Sequence, residues 1–163
     1  MAYSTSRDKQ SGPQGGQPFW RLRAWEWVLL ATALVFFVMQ SYTVIPRESA
    51  TFDEQYHLTA GYAYLRTGDF RLASNHPPLM GMLGGLGLLS KQDVTLALDD
   101  PAWDAGDRYR FSDVFLWESN DRAQAFLVAA RRMMLLVGLL LLVALFFATR
   151  EMVGSWGGWL ARL

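Results

Sequence analysis

The sequence predicts an all-α, polytopic transmembrane protein, and three observations carry that expectation. Residues 25–45 form an apolar run whose single charge is Glu26, and residues 133–149 form a second run with no charge at all. Between them stands a helix start, Thr51 followed three residues later by Glu54, in a capping-box pattern. Composition agrees with the runs: 52% of the 163 residues are hydrophobic and seven are tryptophan. A formal net charge of zero gives no electrostatic case for nucleic acid. The absence of cysteine excludes disulfides and thiolate metal sites.

The chain divides in order. Residues 1–24 begin with a Ser-, Gly-, Gln- and Pro-rich stretch that reads as a disordered cytoplasmic tail. Residues 25–45 read as the first transmembrane helix, since about twenty apolar residues cross the hydrocarbon core. Trp20, Trp25 and Trp27 suit an interfacial aromatic belt. A signal peptide is the rival reading. The run is longer than a usual h-region, however, and no small-residue cleavage site follows it. Arg7, Lys9, Arg21 and Arg23 precede the run and predict a cytoplasmic amino terminus in a cell (inner) membrane.

Residues 46–121 are then expected to form a periplasmic or extracellular loop of interfacial helices, and residues 51–79 concentrate its chemistry. A helix is expected from about Phe52 to Thr67, with Gly68 as its left-handed terminator. Asp53 and Glu54 lie four and three residues before His57, so all three share one surface of the first turns. Two carboxylates there suit a cation or a hydroxyl that must lose a proton, although acids in a first turn are also ordinary helix capping. Pro77 and Pro78 fix the backbone after His76 and predict a new helix at about that point. Residues 79–89 are apolar, too short to span and punctuated by four glycines. They suit either an interfacial helix or close packing on another backbone. As a water-exposed helix each glycine would cost up to ~1 kcal/mol.

Residues 91–121 read as polar turns and loops, with Asp104-Ala105-Gly106-Asp107 lacking regular calcium-loop spacing. Residues 122–150 read as a loop-exit helix running into the second transmembrane helix, with Arg131 and Arg132 at its outer end and Arg150 at its inner end. Residues 151–163 read as a cytoplasmic turn and the start of a third span, so the chain is expected to be the amino-terminal part of a larger protein.

Asp53-Glu54, Gly61-Tyr62, Gly68-Asp69 and His76-Pro77-Pro78-Leu79, set between two spans, resemble the polyprenyl-phosphate-dependent membrane glycosyltransferases of GT-C type. That family includes protein O-mannosyltransferases and the aminoarabinose transferases that modify lipid A. The resemblance covers roughly residues 25–163. It implies a fold of many membrane helices, with two interfacial helices of the first outer loop over the active site. It implies inverting transfer of a sugar from a polyprenyl-phosphate donor to an acceptor hydroxyl on a protein, lipid or glycan. By that resemblance Asp53 is the base or acceptor-orienting residue, Glu54 its partner, and His76 the group beside the donor phosphate. Asn75 stands where aminoarabinose transferases carry an acid that helps hold a metal, so the His-Pro-Pro form leans toward the mannosyltransferase-like side.

The chemistry that the resemblance implies is coherent with the residue types. A sugar phosphate needs a carboxylate to take the acceptor proton, here Asp53, and positive groups to steady the departing phosphate. His76, Arg71, Arg131 and Arg132 are the candidates for the second need. Asp53 and His57 are the candidate contacts for a divalent cation or for the acceptor. Two further classes compete with the transferase: a non-enzymatic two-span protein whose loop binds a partner or ligand, and a truncated frame without activity.

Overall fold

The computed structural model describes residues 22–72 and 76–153. The expected tail with Trp20 and Arg21, the Asn75 departure and the start of a third span after Val153 lie outside the described residues. Among the described residues the fold is all-helical. Two helices, α1 (Ala24–Val44) and α6 (Ala123–Val153), flank α2 (Phe52–Thr67), α3 (Leu79–Leu89), α4 (Pro101–Asp104) and α5 (Arg108–Asp113). The helix α5 continues into a π turn over Val114–Glu118.

By length and composition, Ala24–Val44 and Ala123–Met152 are long and apolar enough to cross a membrane. They pair antiparallel along their apolar lengths. Phe37 sits over Gly138, where an added Cβ would come within 2.7 Å of its ring. At the far end Arg150 donates to Glu26 at 2.7 Å. Glu26, the one acid of the first apolar run, also accepts from the Arg23 backbone N–H at 2.6 Å. An acid at a span entrance is tolerated here because it caps one helix and pairs with the basic end of the other.

At roughly 45 Å (31 residues at ~1.5 Å each), α6 outruns a bilayer core of ~30 Å. The excess is its first two turns, where Ala123, Phe126, Leu127, Ala129 and Ala130 are buried against the four short helices. Leu58 and Tyr62 of α2 join that cluster with Leu88, Phe115 and Leu116. The opposite side of α2, Ala60, Ala63 and Tyr64, packs on Leu72, Ala102, Trp103 and Phe111. A helix buried on both sides becomes the axis of the small domain. Phe111, Phe115 and Phe126 are fully enclosed, each contributing about 1.5–3 kcal/mol by burial.

The glycines of α3 are contact points between backbones. A Cβ on Gly81 would stand 2.7 Å from the His57 carbonyl oxygen, and one on Gly85 2.7 Å from the Tyr62 nitrogen. On the α6 side a Cβ at Gly87 would stand 2.6 Å from the Ala129 carbonyl oxygen. Of the two expectations for residues 79–89, close backbone packing is the one observed. The stretch expected as turns, residues 91–121, instead holds α4, α5 and the π turn. Asp100 caps α4 by accepting from Ala102 N–H at 2.8 Å, and Asp107 caps α5 through Tyr109 and Arg110. The acids that suggested loops are N-caps of short helices, and Trp103 and Phe111 anchor those helices in the core. Buried Asn120 ties this region together, donating to the carbonyls of Thr95 and Phe115 and accepting from Thr95 N–H.

Helix α2 begins and ends where the sequence indicates. Glu54 accepts from Thr51 N–H at 3.4 Å, and Gly68 ends the helix at φ 73° with its N–H on the Tyr64 carbonyl. Nothing lies within 4 Å of the position a Gly68 Cβ would take, so the cost of a side chain there is backbone strain alone. Gly68→Ala is expected to destabilise by about 1 kcal/mol, read as a drop of a few degrees in the thermal midpoint in detergent.

Candidate functional site

The head of α2 meets α3, α5 and α6 at one end of the helix pair. Asp53 is exposed on its first turn, and His57 follows one turn later, half-buried. The segment before α3 brings His76 back over α2, so that the two imidazole rings lie 5.4 Å apart, edge to face. From α5, Tyr109 stacks on Phe52 at 5.2 Å and meets Tyr56 edge-on at 5.4 Å. The Arg108 guanidinium lies over both tyrosine rings, at 5.0 Å and 4.7 Å. Asp53, Tyr56, His57, His76 and Arg108 thus form one polar cluster rimmed by aromatic rings.

Its electrostatics follow from this packing. Burial lowers the pKa of His57, and His76 and Arg108 push it further down against the opposing pull of Asp53. His57 is therefore neutral at pH 7, an imidazole with both a donor and an acceptor nitrogen. Desolvation, then the charge of Asp53, raises the Tyr56 phenol and keeps it a proton donor. A depressed histidine pKa means that the unfolded chain binds the proton more readily. Stability is then whole above the ordinary value of 6.5 and falls as pH drops through the folded pKa. Acid titration of the thermal midpoint should show this loss below about pH 6.5, and His57→Gln should remove that component.

Behind the cluster lies a cavity of about 200 Å³ among α2, α3 and α6, lined by Glu54, His57, Pro77, Met80, Gly84 and Arg131 among others. Its polar wall is an ion pair. Arg131 grips Glu54 through Nε and Nη2, both at 2.6 Å. Its remaining donors go to the backbone carbonyls of Ile45, Glu48 and Ser49 at 2.8–2.9 Å. All five guanidinium N–H groups are engaged, which leaves none for a phosphate. Gln124, two turns earlier on α6, holds the same exit segment through the Pro46 carbonyl at 3.1 Å. Arg131, a candidate phosphate ligand by sequence, in this structure fastens the end of α1 to α2 and α6. Glu54 is likewise held by its arginine and positions the turn that carries Asp53.

The other two arginines are also placed elsewhere. Arg71 lies beyond the end of α2, roughly 22 Å along the helix from its head (15 steps of ~1.5 Å). It pairs with Asp69 at 2.7 Å and lies over the Trp103 ring at 4.8 Å. The guanidinium holds the Asp69 carboxyl below its ordinary range. Arg132 is adjacent to Arg131 in sequence, but successive helix residues diverge by about 100°, which turns it away from the cavity. It lies over the Tyr42 ring at 5.4 Å.

Among the described residues, no group of three or more His, Asp or Glu side chains is set to hold a metal ion. Arg108, Tyr109 and Tyr56 are the site members that sequence reasoning missed. Asp107 caps α5, but nothing local pairs α5 with α2. No protein-family model, no curated protein and no solved structure matches this chain.

Proposed function

We propose that this chain carries the base and part of the donor-phosphate site of a membrane glycosyltransferase, one that moves a sugar from a polyprenyl-phosphate donor to an acceptor hydroxyl. In this reading both long helices cross the cell (inner) membrane, the amino terminus is cytoplasmic, and α2 to α5 stand on the outer face. The observation that carries it is the meeting of His57 and His76 one turn along α2 from Asp53, at the end of two span-length helices. The motif resemblance at Asp53-Glu54 and His76-Pro77-Pro78-Leu79 agrees with it.

The acceptor oxygen attacks the anomeric carbon from the face opposite the phosphate, and the anomeric configuration inverts. Asp53 takes the hydroxyl proton as the new C–O bond forms. The old bond from carbon to phosphate oxygen breaks, and the phosphate leaves with the bonding electrons. His76 and Arg108 steady its negative charge, the second through a planar fork suited to phosphate oxygens. Neutral His57 orients the acceptor or a phosphate oxygen by hydrogen bonding. Asp53 and His57 remain the contacts for a divalent cation or for the acceptor in this reading.

Asp53→Asn, assayed as full-length protein in membranes with a polyprenyl-phosphate sugar, should lower the rate about 10²–10⁴-fold with donor binding retained. Transfer at near wild-type rate would remove Asp53 from the chemistry. His76→Ala should act mainly on donor KM. The exposed rim of Phe52, Tyr109 and Trp117 is what favours the second reading, a non-enzymatic loop that docks a partner. That reading requires the Asp53 variant to be silent in every transfer assay.

A further inference from the structure

A second concave feature lies on the face of α6 opposite the candidate site. Between α1 and α6 runs a groove of about 680 Å³, walled by Val35, Val38 and Met39 on one side and Leu136, Leu140 and Val143 on the other, with further leucines. Its lining carries no charged residue. The α6 residues of the groove recur at helical spacing, and Arg132 stands one turn above Leu136 in the same stripe. On α1, Tyr42 likewise stands one turn above Val38. The groove is thus headed by the Arg132–Tyr42 pair, and from Tyr42 down to Leu34 it runs about 12 Å.

Arg132 is exposed and, among the described residues, makes no ion pair. Arg131 differs from it in having every donor engaged. A cation at the rim of an apolar furrow, at the level where a span leaves the hydrocarbon, meets lipid phosphates. Its aromatic neighbour suits the same depth, since tyrosine prefers the headgroup level. A packed helix from a protein partner would bring apolar side chains but leave this charge without an anion. A two-part amphiphile satisfies both parts of the feature.

We infer that this groove binds an anionic phospholipid of the bilayer, with one acyl chain along α1 and α6 and the headgroup phosphate at Arg132. The inference rests on the two helices lying in a bilayer and not on the transferase reading. It assigns Arg132 to the surrounding lipid and not to a sugar donor. The site would hold the two helices at a set spacing where Phe37 and Gly138 are their close contact.

The test uses the chain reconstituted in phosphatidylcholine vesicles that carry a trace of spin-labelled phosphatidylglycerol or spin-labelled phosphatidylcholine. The motionally restricted fraction is expected to be several-fold larger for the anionic label. Arg132→Gln should bring the two labels to the same fraction, whereas Arg132→Lys should keep the preference. Leu140→Trp, which fills the furrow, should reduce the restricted signal of the anionic label with helicity unchanged. Equal fractions in the wild type, or a preference surviving Arg132→Gln, would overturn the inference. Because the chain has no cysteine, Leu140→Cys is a single-thiol probe. Its ready oxidation to a dimer, without lipid selectivity, would mean that a second copy covers the groove, and would overturn it too.

Discussion

Arg131→Met is expected to destabilise the protein by about 2–3 kcal/mol, below the range for a fully buried ion pair because both partners are part-exposed. The pair is sheltered, with side chains only 15% and 22% exposed. The substitution strands the Glu54 carboxylate and leaves the Ile45, Glu48 and Ser49 carbonyls without their donor. The thermal midpoint in detergent should fall by on the order of 10 °C. Arg131→Lys keeps the charge but supplies three donors in place of a planar fork, so it should recover only part of the loss. The double variant Arg131→Met with Glu54→Leu should be more stable than Arg131→Met alone, because no unpaired carboxylate remains buried. Strict additivity of the two single effects would sink the clamp. A phosphate-binding arginine would behave otherwise: donor KM would rise and the midpoint would stay in place.

Gly61→Val is expected to prevent assembly of α2 on α3. A Cβ at Gly61 would run into the backbone carbonyl of Gly81, and no rotamer change can relieve a contact between two backbones. Overpacking a core commonly costs about 1–3 kcal/mol when side chains can shift. Here the helices themselves must part, so the cost should lie at or above the top of that range. Gly84→Ala is the internal control, since its Cβ would meet only the Ala130 methyl at 3.7 Å, an ordinary contact. It should be neutral or gain up to ~1 kcal/mol from helix propensity. Limited proteolysis and circular dichroism read both outcomes. Comparable damage from the two variants would mean that the α2–α3 crossing is looser than its geometry.

Much of the fold was legible because its signals are local. The apolar runs, the Thr51–Glu54 capping box and the Gly68 terminator each depend on residues within a turn or two of one another, and each is found where the spacing places it. The helices at 101–113 were not legible as helices. Their caps are short acidic turns, and what holds them is burial of Trp103 and Phe111 against the far side of α2. The approach of Asp53 to His57 was readable from an interval of four. The approach of His76 and Arg108 to that pair was not, since it depends on how α3 and α5 cross α2.

The sequence by itself determined the helical class, the two span-length helices, the extent of α2 and the acids and imidazoles that its neighbourhood contains. The tertiary structure alone decided which partners the arginines take. Three were named in the sequence as able to serve a phosphate and Arg108 was not, yet a guanidinium goes where acceptor oxygens or ring faces meet it. For Arg131 those are Glu54 and three carbonyls at the end of α1, for Arg71 the Asp69 turn, for Arg132 the Tyr42 ring, and for Arg108 the tyrosine rings beside Asp53. Spacing along a chain carries the periodicity of a helix but not the angle at which two helices meet, and that angle sets each arginine's partner.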